Sequence, residues 1–296
     1  MTELEKIATQ NSLSTATESK TMINEITKPS ILVTGAYGGM GKATARALKE
    51  RGFRVFALDK VAGDEEENII PIKADITNES SIKSAFELVS RMTDELFAIV
   101  HFAGVYMLDS LVEMDSEAFE RILKINLGGG YLINKTFIPL LKNGSRIVIT
   151  TSELAPLDPL PFTGVYAVSK GALDKYAYSL CMELQLKGIK VSVLRAGAVS
   201  TDMLDVSTDA LDRFCQTTAL YTCNAKRFKK IVDSVEARSI SPSRIAEKVA
   251  RILAKRSPRF AYSINRNPLL LMINALPKRL QLCIIKQVLK NKKQKI

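Results

Sequence analysis

Short apolar segments alternate with longer helical patterns from about residue 29 to residue 200, and this alternation constrains the fold more than any other feature. The apolar segments are rich in Val and Ile and have no polar face, which is typical of strands covered by helices on both sides. The pattern predicts an α/β fold with a doubly wound parallel sheet. The predicted strands are Ile31–Thr34, Arg54–Leu58, Ile69–Lys73, Phe97–Phe102, Arg146–Thr150 and Lys190–Leu194. The predicted helices are Lys42–Arg51, Ser80–Met92, Ser116–Leu141 and Tyr166–Lys187.

The positive charge of the chain is concentrated at one end. The formal net charge is +11, yet the last acidic residue is Glu247, and 13 Lys or Arg follow it. We therefore predict three parts: a flexible polar leader (residues 1–28), a single domain (29–246) with a substrate lid at about 200–230, and a basic helical extension (247–296).

Several classes of protein are disfavoured by composition. None of the four cysteines forms a CxxC pair, which favours reduced thiols and a cytoplasmic protein. His101 is the only histidine, so a Ser-His-Asp triad or a His-rich metal site is not expected, and we predict no metal. No apolar stretch is long enough to span a bilayer, and the leader lacks the apolar core of a signal peptide.

A glycine-rich turn directly follows the first predicted strand and precedes a helix. Its sequence, Thr34–Gly41, is TGAYGGMG. Glycines let backbone N–H groups approach a pyrophosphate, and the helix N-terminus adds partial positive charge. A turn without a ligand is the simpler alternative, but the strand before it and the helix after it favour a Rossmann-type dinucleotide site. The candidate residues are Gly35, Tyr37, Gly38, Gly39, Met40 and Gly41.

The end of the second predicted strand bears on the choice of nucleotide. Asp59 could accept hydrogen bonds from both ribose hydroxyls and would repel a 2′-phosphate, which favours NAD. Lys60 could offset that repulsion, which leaves NADP open, and Asp59 could also be only a turn residue. Asp75 and Ile76 follow the third strand, where they could contact the adenine.

A tyrosine and a lysine four residues apart point to proton transfer. Tyr166 and Lys170 share one face of a predicted helix, and the lysine cation is expected to favour the tyrosine phenolate. Ser152, just past a strand, could hydrogen-bond a substrate oxygen. Tyr131 and Lys135 have the same spacing but no preceding hydroxyl residue after a strand, so we interpret Tyr131 as packing or surface.

Together these motifs resemble the short-chain dehydrogenase/reductase family over about residues 29–203, most closely its hydroxysteroid and retinol dehydrogenase-like members. The glycine turn, Ser152 and the Tyr166/Lys170 pair match that family's motifs, and Asn126 matches its catalytic asparagine. The family's Asn-Asn-Ala-Gly element appears as His101–Gly104, with Ala196 and Gly197 standing in its Pro-Gly segment. The resemblance adds these candidate cofactor contacts: Ala103, Gly104, Gly197, Val199 and Thr201.

The resemblance also implies a role for each catalytic residue. Tyr166 would exchange a proton with the alcohol oxygen, Ser152 would orient the carbonyl, and Lys170 would hold the nicotinamide ribose. Asn126 would hold a water that relays protons to Lys170. His101 could hydrogen-bond in place of the missing amide, or it could simply be a satisfied core residue.

The substrate is expected to be a large apolar alcohol or ketone. The segment after Thr201 and the loop after Ser152 are rich in apolar residues, although ordinary lid packing would give the same composition. The candidate substrate contacts are Ser152, Leu154, Phe162, Tyr166 and Met203.

The C-terminal segment predicts a basic amphipathic helix. Arg279, Lys286, Lys290 and Lys293 share one side, opposite Leu280, Ile284, Ile285, Val288 and Leu289. The helix could lie on an anionic membrane surface, pack on its own domain, or contact a second subunit, and we expect a homo-oligomer.

The sequence therefore predicts an NAD(P)-dependent oxidoreductase acting on a hydrophobic alcohol or ketone such as a hydroxysteroid. A non-catalytic dinucleotide-sensing or scaffold protein on the same fold is the main alternative. Nucleic-acid binding is disfavoured because the basic tail has few aromatic residues for base stacking.

Overall fold

The computed structural model describes residues 28–61, 63–236 and 238–290, and for residues 202–207 and 233–236 it describes the backbone alone. The predicted leader (1–28) therefore lies almost entirely outside the described residues. Within the described part of the chain, seven parallel strands form one sheet in the order β3-β2-β1-β4-β5-β6-β7. The predicted doubly wound α/β fold is confirmed. The strands are β1 Ser30–Thr34, β2 Arg54–Asp59, β3 Ile69–Lys73, β4 Leu96–His101, β5 Leu141–Thr150, β6 Lys190–Ala196 and β7 Ala261–Ile264.

Helices cover both faces of the sheet because neighbouring strand residues point in opposite directions. Leu32 of β1 packs with side chains of α2, α4 and α5, whereas Ile31 and Val33 pack with α1 and α8. All three side chains are fully buried, which explains why the strands have no polar face. The helices are α1 Gly39–Lys49, α2 Glu79–Ser90, α3 Ser116–Leu123, α4 Gly129–Phe137, α5 Gly164–Leu184, α6 Asp202–Thr217, α7 Thr222–Glu236, α8 Pro242–Leu253, α9 Pro268–Asn274 and α10 Lys278–Leu289.

The predicted helix 116–141 is in fact interrupted. A π-helical turn, Lys124–Gly128, joins α3 to α4, and a short 3-10 turn ends the segment before β5 begins at Leu141. Strand β5 thus starts five residues earlier than predicted, across an irregularity in its pairing with β4. The apolar periodicity of a helix does not reveal one inserted residue, so the π turn could not be predicted from it.

The basic extension is not wholly helical, and its predicted boundary at residue 246 divides a core helix. Helix α8 spans this boundary and buries Ile245, Val249 and Leu253 against the sheet. Beyond it, β7 adds a seventh strand by pairing in parallel with β6. The sheet domain thus runs to Ile264, and β7 supplies hydrogen-bonding partners for the edge of β6 that would otherwise be unpaired. Of the described elements, α9 and α10 follow it, and we call the segment that contains them, residues 267–289, the C-terminal cap.

None of the helices in the described residues is both long and apolar enough to cross a membrane.

Candidate active site

The candidate catalytic and nucleotide-binding residues converge at the carboxyl edge of the sheet. The strand order reverses between β1 and β4, and the loops after these two strands part there. In open α/β sheets this switch point is where ligands bind.

The glycine turn forms a cradle between β1 and α1 that leaves no room for a side chain at Gly35 or Gly41. Gly35 has φ +66°, and a Cβ atom there would lie 2.6 Å from the backbone nitrogen of Ala103. At Gly41, a Cβ would lie 2.0 Å from the Gly35 carbonyl oxygen. Gly38 caps α1 without any side-chain hydrogen bond, and the first turn of α1 has no acidic residue. This combination fits the pyrophosphate of a dinucleotide.

The opposite wall of the cradle comes from the segment after β6. A Cβ atom at Gly39 would lie 2.5 Å from Cγ2 of Thr201, so these two residues are in contact. Met40 and Thr201 line the same cavity as Gly197 and Val199, which follow β6. The structure thereby brings together both sets of residues that the resemblance assigned to the cofactor.

Asp59, at the end of β2, is held in place by the turn itself. Its Oδ2 accepts a hydrogen bond from the backbone N–H of Tyr37 at 2.9 Å, and its Oδ1 accepts one from Val61 at 3.3 Å. Lys60 turns away and pairs with Asp75, with 3.5 Å between Nζ and Oδ2. The Asp59 carboxylate therefore lies beside the cradle, and the Lys60 ammonium, which could offset its negative charge, is paired with Asp75.

The residues expected to contact the adenine are partly occupied by local structure. Asp75 accepts hydrogen bonds from both the N–H and the hydroxyl of Thr77, which lowers the pKa of its carboxyl. Ile76 packs closely on Gly129 at the start of α4. Both residues follow β3, on the β2 side of the cradle.

Tyr166 and Lys170 lie one turn apart on α5, beside the end of β5. Both are buried, as is Ser152 in the loop after β5. The Ser152 side chain hydrogen-bonds the Tyr166 hydroxyl, and the Lys170 Nζ donates to the Thr150 carbonyl at 3.4 Å. All three line one cavity. Serine and tyrosine thus present two hydroxyl groups to the same small volume, which suits a carbonyl or alcohol oxygen.

Burial, rather than the lysine charge, dominates the ionisation of this pair. It raises the pKa of Tyr166, an effect that Tyr106 strengthens and the hydrogen bond from Ser152 weakens. Burial also lowers the pKa of Lys170 to about 8. The Lys170 Nζ lies 5.9 Å from the centre of the Tyr166 ring. The expected lowering of the Tyr166 pKa by Lys170 is therefore not found, because burial disfavours the charged form of both groups.

Asn126 lies in the π-helical turn that the sequence did not reveal. Its Oδ1 accepts the Val105 N–H at 2.8 Å, while its Nδ2 donates to the Val105 carbonyl at 3.0 Å and to Ser169 at 2.9 Å. A Cβ at Gly104 would lie 3.1 Å from Asn126 Oδ1 and 3.3 Å from Lys170 Nζ. The Asn126 side chain thus fixes the loop after β4 beside Lys170. Single π-helical turns are frequent at functional sites.

A buried ion pair, missed from the sequence, holds α5 against the sheet. Asp174 accepts two hydrogen bonds from Arg195 of β6, at 3.0 and 2.7 Å, and one from the Thr151 hydroxyl at 3.2 Å. This bidentate pair fixes the rotation of the helix that carries Tyr166. An Asp four residues after Lys170 was the available signal, but its partner is distant in sequence.

The second Tyr/Lys pair is indeed at the surface. Tyr131 is 47% exposed, and Lys135 forms an ion pair with Glu79. His101, by contrast, is buried and hydrogen-bonds Asn134 at 2.9 Å, and burial lowers its pKa to about 4. It is the satisfied, neutral core histidine that the simpler interpretation described.

A cavity of about 650 Å³ opens beside the two hydroxyl groups. Leu154 lines it, as predicted for a substrate contact, and most of its other walls are apolar. The sequence analysis missed its outer wall, which the C-terminal cap provides. The cap residues that line it are Asn267, Leu269, Leu270, Met272, Ile273, Leu276, Ile284, Ile285, Val288 and Leu289.

Two of the predicted substrate contacts, Phe162 and Met203, are not among the described residues that line the cavity. Phe162 has a left-handed backbone (φ +68°), and its ring packs on Phe214 and Phe228 at 4.7 and 5.5 Å between centroids. The neighbours Leu160 and Pro161 line the cavity instead, because the Phe162 ring is packed into the aromatic cluster formed with the lid helices. Met203 belongs to α6, but its side chain lies outside the described residues.

Part of the apolar side of α10 packs on its own domain, whereas Leu280 and Val288 are about half exposed. Ile285 and Leu289 pack with residues of α6 and α7. Three further contacts dock the cap: the Asn267 N–H on Glu153 at 2.6 Å, Asn274 with the Asp158 N–H at 2.6 Å, and Asn224 with the Leu289 carbonyl at 2.7 Å. Of the basic residues predicted to share one side, Lys293 lies outside the described residues.

Comparison with known proteins points in the same direction. The family model for short chain dehydrogenase matches residues 29–212. The 3-ketodihydrosphingosine reductase of Bacteroides thetaiotaomicron is 24% identical over 78% of this chain and 85% of its own length. Mouse estradiol 17-beta-dehydrogenase 2 is 31% identical, over 60% of this chain but only 50% of that protein.

Among solved structures, a short chain dehydrogenase from Burkholderia cenocepacia in complex with NADP has a similar fold. The TM-score is 0.67 at 20% identity, and the match covers 90% of this chain and 99% of the other. At this identity the likeness supports the fold alone.

Proposed function

The chain belongs to the short-chain dehydrogenase/reductase family of oxidoreductases, and on that premise we propose that it interconverts a secondary alcohol and a ketone on a hydrophobic substrate such as a hydroxysteroid. One observation carries the proposal: Ser152, Tyr166 and Lys170 meet at the inner end of a large apolar cavity. The estradiol dehydrogenase and the ketodihydrosphingosine reductase, by their names, also act on large apolar molecules.

The nicotinamide nucleotide would supply or accept the hydride, and the chain's own groups would manage the proton. In the reducing direction, Tyr166 donates its hydroxyl proton to the carbonyl oxygen as the hydride adds to the carbonyl carbon. Its raised pKa keeps it protonated and able to donate. Ser152 donates a hydrogen bond to the same oxygen and stabilises the charge that develops there.

Lys170 and Asn126 would reload the tyrosine. Lys170 has a pKa of about 8 and so exchanges protons readily near neutral pH. A water beside Asn126 Oδ1 and Lys170 Nζ, which both border Gly104, would connect Lys170 to solvent. Lys170 would also hold the nicotinamide ribose when the nucleotide binds.

We propose NAD as the preferred nucleotide, with NADP as the alternative. The support is electrostatic: Asp59 stands beside the glycine cradle, while Lys60 is paired with Asp75 and does not neutralise it. A phosphate on the ribose would be repelled by that carboxylate.

We also propose that this protein is cytoplasmic and touches an anionic membrane surface through the C-terminal cap. Leu269, Met272 and Leu282 are exposed on the cap, which also carries the exposed basic residue Arg279. Apolar contacts together with basic charge support reversible binding to anionic lipid. Co-sedimentation with anionic vesicles at low salt, lost at about 1 M salt, is the expected result. No co-sedimentation at low salt would contradict it.

A homo-oligomer is the further partner that we propose. Val168, Tyr178 and Met182 are exposed on one side of α5. Large apolar side chains grouped on a helix face support association with a second copy. Sedimentation equilibrium tests this, and a monomer at all concentrations would refute it.

The experiment that tests the function is a substrate screen that follows oxidation of NADH or NADPH with ketones and reduction of NAD or NADP with alcohols. It should include hydroxysteroids and their ketones, retinoids and long-chain acyl ketones, with small ketones for comparison. We expect turnover only with large apolar ketones or alcohols. Nucleotide binding without turnover of any ketone or alcohol would favour the non-catalytic alternative.

A further inference from the structure

Among the described residues that line the cavity, Glu153 is the one with an acidic side chain. Glu153 directly follows Ser152, and its N–H donates to the Ala196 carbonyl at 2.9 Å, which fixes the backbone beside β6. The side chain lines the cavity and is only 8% exposed. A buried carboxylate in an apolar wall costs free energy unless it is paired, so each of its oxygens is expected to have a hydrogen-bond or ionic partner.

Only one oxygen of Glu153 has a partner among the described residues. Oε2 accepts the backbone N–H of Asn267 at 2.6 Å. Oε1 lies beside Gly197, where a Cβ atom would approach it to 3.1 Å. Burial raises the pKa of the Glu153 carboxyl, and the hydrogen bond from Asn267 and the charge of Arg266 only partly oppose this effect. Within the part of the chain that the structure describes, no ion pair to Glu153 is found. The carboxylate thus retains an acceptor for a group that enters the cavity.

The surroundings indicate what that group would be. Beyond Glu153 the cap presents Leu270, Ile273 and Ile284 to the cavity, which suits a hydrocarbon chain. Ser152 and Tyr166, which line the same cavity, would hold the reacting oxygen. A molecule that satisfies all three regions has an apolar chain, a carbonyl, and a hydrogen-bond donor close to that carbonyl. A cationic donor gains most, because charge-assisted hydrogen bonds are roughly twice as strong as neutral ones.

We propose that Glu153 binds a protonated amine close to the reacting carbonyl, so that the substrate class is a long-chain amino ketone or the corresponding amino alcohol. The proposal rests on the function proposed above and narrows it. In the reduction, hydride adds to the carbonyl carbon and the Tyr166 proton goes to its oxygen. The ammonium group keeps all its protons and serves only to orient the molecule.

Glu153→Gln separates recognition from a purely structural role. Glutamine retains a carbonyl oxygen that can accept the Asn267 N–H, so the attachment of the cap persists while the charge is lost. A structural defect would lower activity on every substrate alike. Loss of recognition would affect amines alone. Glu247→Gln is the matched control, because Glu247 is an exposed residue of α8 paired with Arg251.

The test compares three ketones with the same chain that carry an amino group, a hydroxyl group or hydrogen beside the carbonyl. We expect the wild type to favour the amine in kcat/KM, and Glu153→Gln to reduce that preference about 10- to 100-fold, the usual worth of a hydrogen bond to a charged group. The other two ketones and Glu247→Gln should change little. Equal loss on all three ketones, an effect confined to the KM of the nucleotide, or no wild-type preference would overturn the proposal.

A binding measurement keeps this inference testable apart from turnover. Calorimetry with a long-chain amino alcohol and the matching alcohol without nitrogen should show tighter binding of the amine to wild type but not to Glu153→Gln. Equal binding of the two by wild type would overturn the inference even if other ketones are reduced. Tighter amine binding without any turnover would instead refute the oxidoreductase function and leave the recognition by Glu153 standing.

Discussion

The carboxyl edge of the sheet and the C-terminal cap face each other across one cavity, yet they are built on different rules. At the edge, tight backbone contacts such as Gly35 against Ala103 combine with side-chain hydrogen bonds such as those of Asn126 and Asp174. The cap has apolar contacts and only a few polar attachments, among them Asn224 with Leu289 and Asn267 with Glu153. The difference indicates that chemistry resides at the edge, where geometry is rigid, and that choice of substrate resides in the cap.

The strongest way to break this division is to remove a group from the edge. Lys170→Ala should lower kcat by about 10²- to 10⁴-fold, because proton delivery to Tyr166 is lost. Lys135→Ala, at the same spacing from Tyr131, should leave activity near wild type. Steady-state kinetics on a turned-over ketone checks both. A Lys170→Ala enzyme with normal kcat would place the proton path elsewhere.

Truncation of the cap should have the next largest effect, and of a different kind. Removal of residues 278–296 takes away Ile284, Ile285 and Val288 from the cavity wall. We expect KM for a large apolar ketone to rise about 10- to 100-fold through lost apolar contact, with little change for a small ketone. The truncated protein should keep its secondary structure by circular dichroism. An equal loss for small and large ketones would mean that the cap supports the edge rather than the substrate.

The nucleotide side of the edge should respond more modestly. Asp59→Asn keeps an acceptor for the Tyr37 N–H but removes the charge. The ratio of kcat/KM for NAD over NADP should fall about tenfold, as expected for loss of one nearby repulsive charge. Asp64→Asn, an exposed neighbour, serves as the control. An unchanged ratio, or a wild-type preference for NADP, would show that Asp59 does not select the nucleotide.

The smallest effect should come from the core beneath the edge. Burial lowers the pKa of His101 from 6.5 to about 4, so the unfolded chain takes up a proton there before the folded protein does. His101 therefore contributes stability above pH 6.5 that is lost as the pH falls towards 4. His101→Asn should show a smaller drop in Tm over that window and unchanged kcat at neutral pH. Parallel Tm curves would contradict this.

The sequence predicted the edge well because its signals are local. Glycines that must make a tight turn, and a Tyr/Lys pair one helical turn apart, are visible within a few residues of each other. The six predicted strands are all present, since strands buried on both faces are uniformly apolar.

The cap could not be predicted in the same way because its role depends on contacts distant in sequence. Glu153 binds Asn267 of the cap although the two residues are far apart in sequence, and a local sequence pattern cannot reveal such a contact. The pair between Asp174 and Arg195 inside the sheet domain was missed for the same reason. The amphipathic pattern of α10 was visible, but whether its apolar side met lipid, a partner or the cavity was not. Strand β7 was missed because it has only four residues and these are only half-buried.

The central claim is that Tyr166 delivers the proton at this edge, and the most direct measurement compares two tyrosine variants. Tyr166→Phe removes only the transferable proton, so kcat should fall about 10²- to 10⁴-fold while the Kd of the nucleotide stays unchanged. Tyr131→Phe changes the exposed member of the second pair and should stay near wild type. Normal turnover in Tyr166→Phe, or an equal loss in both variants, would contradict the account.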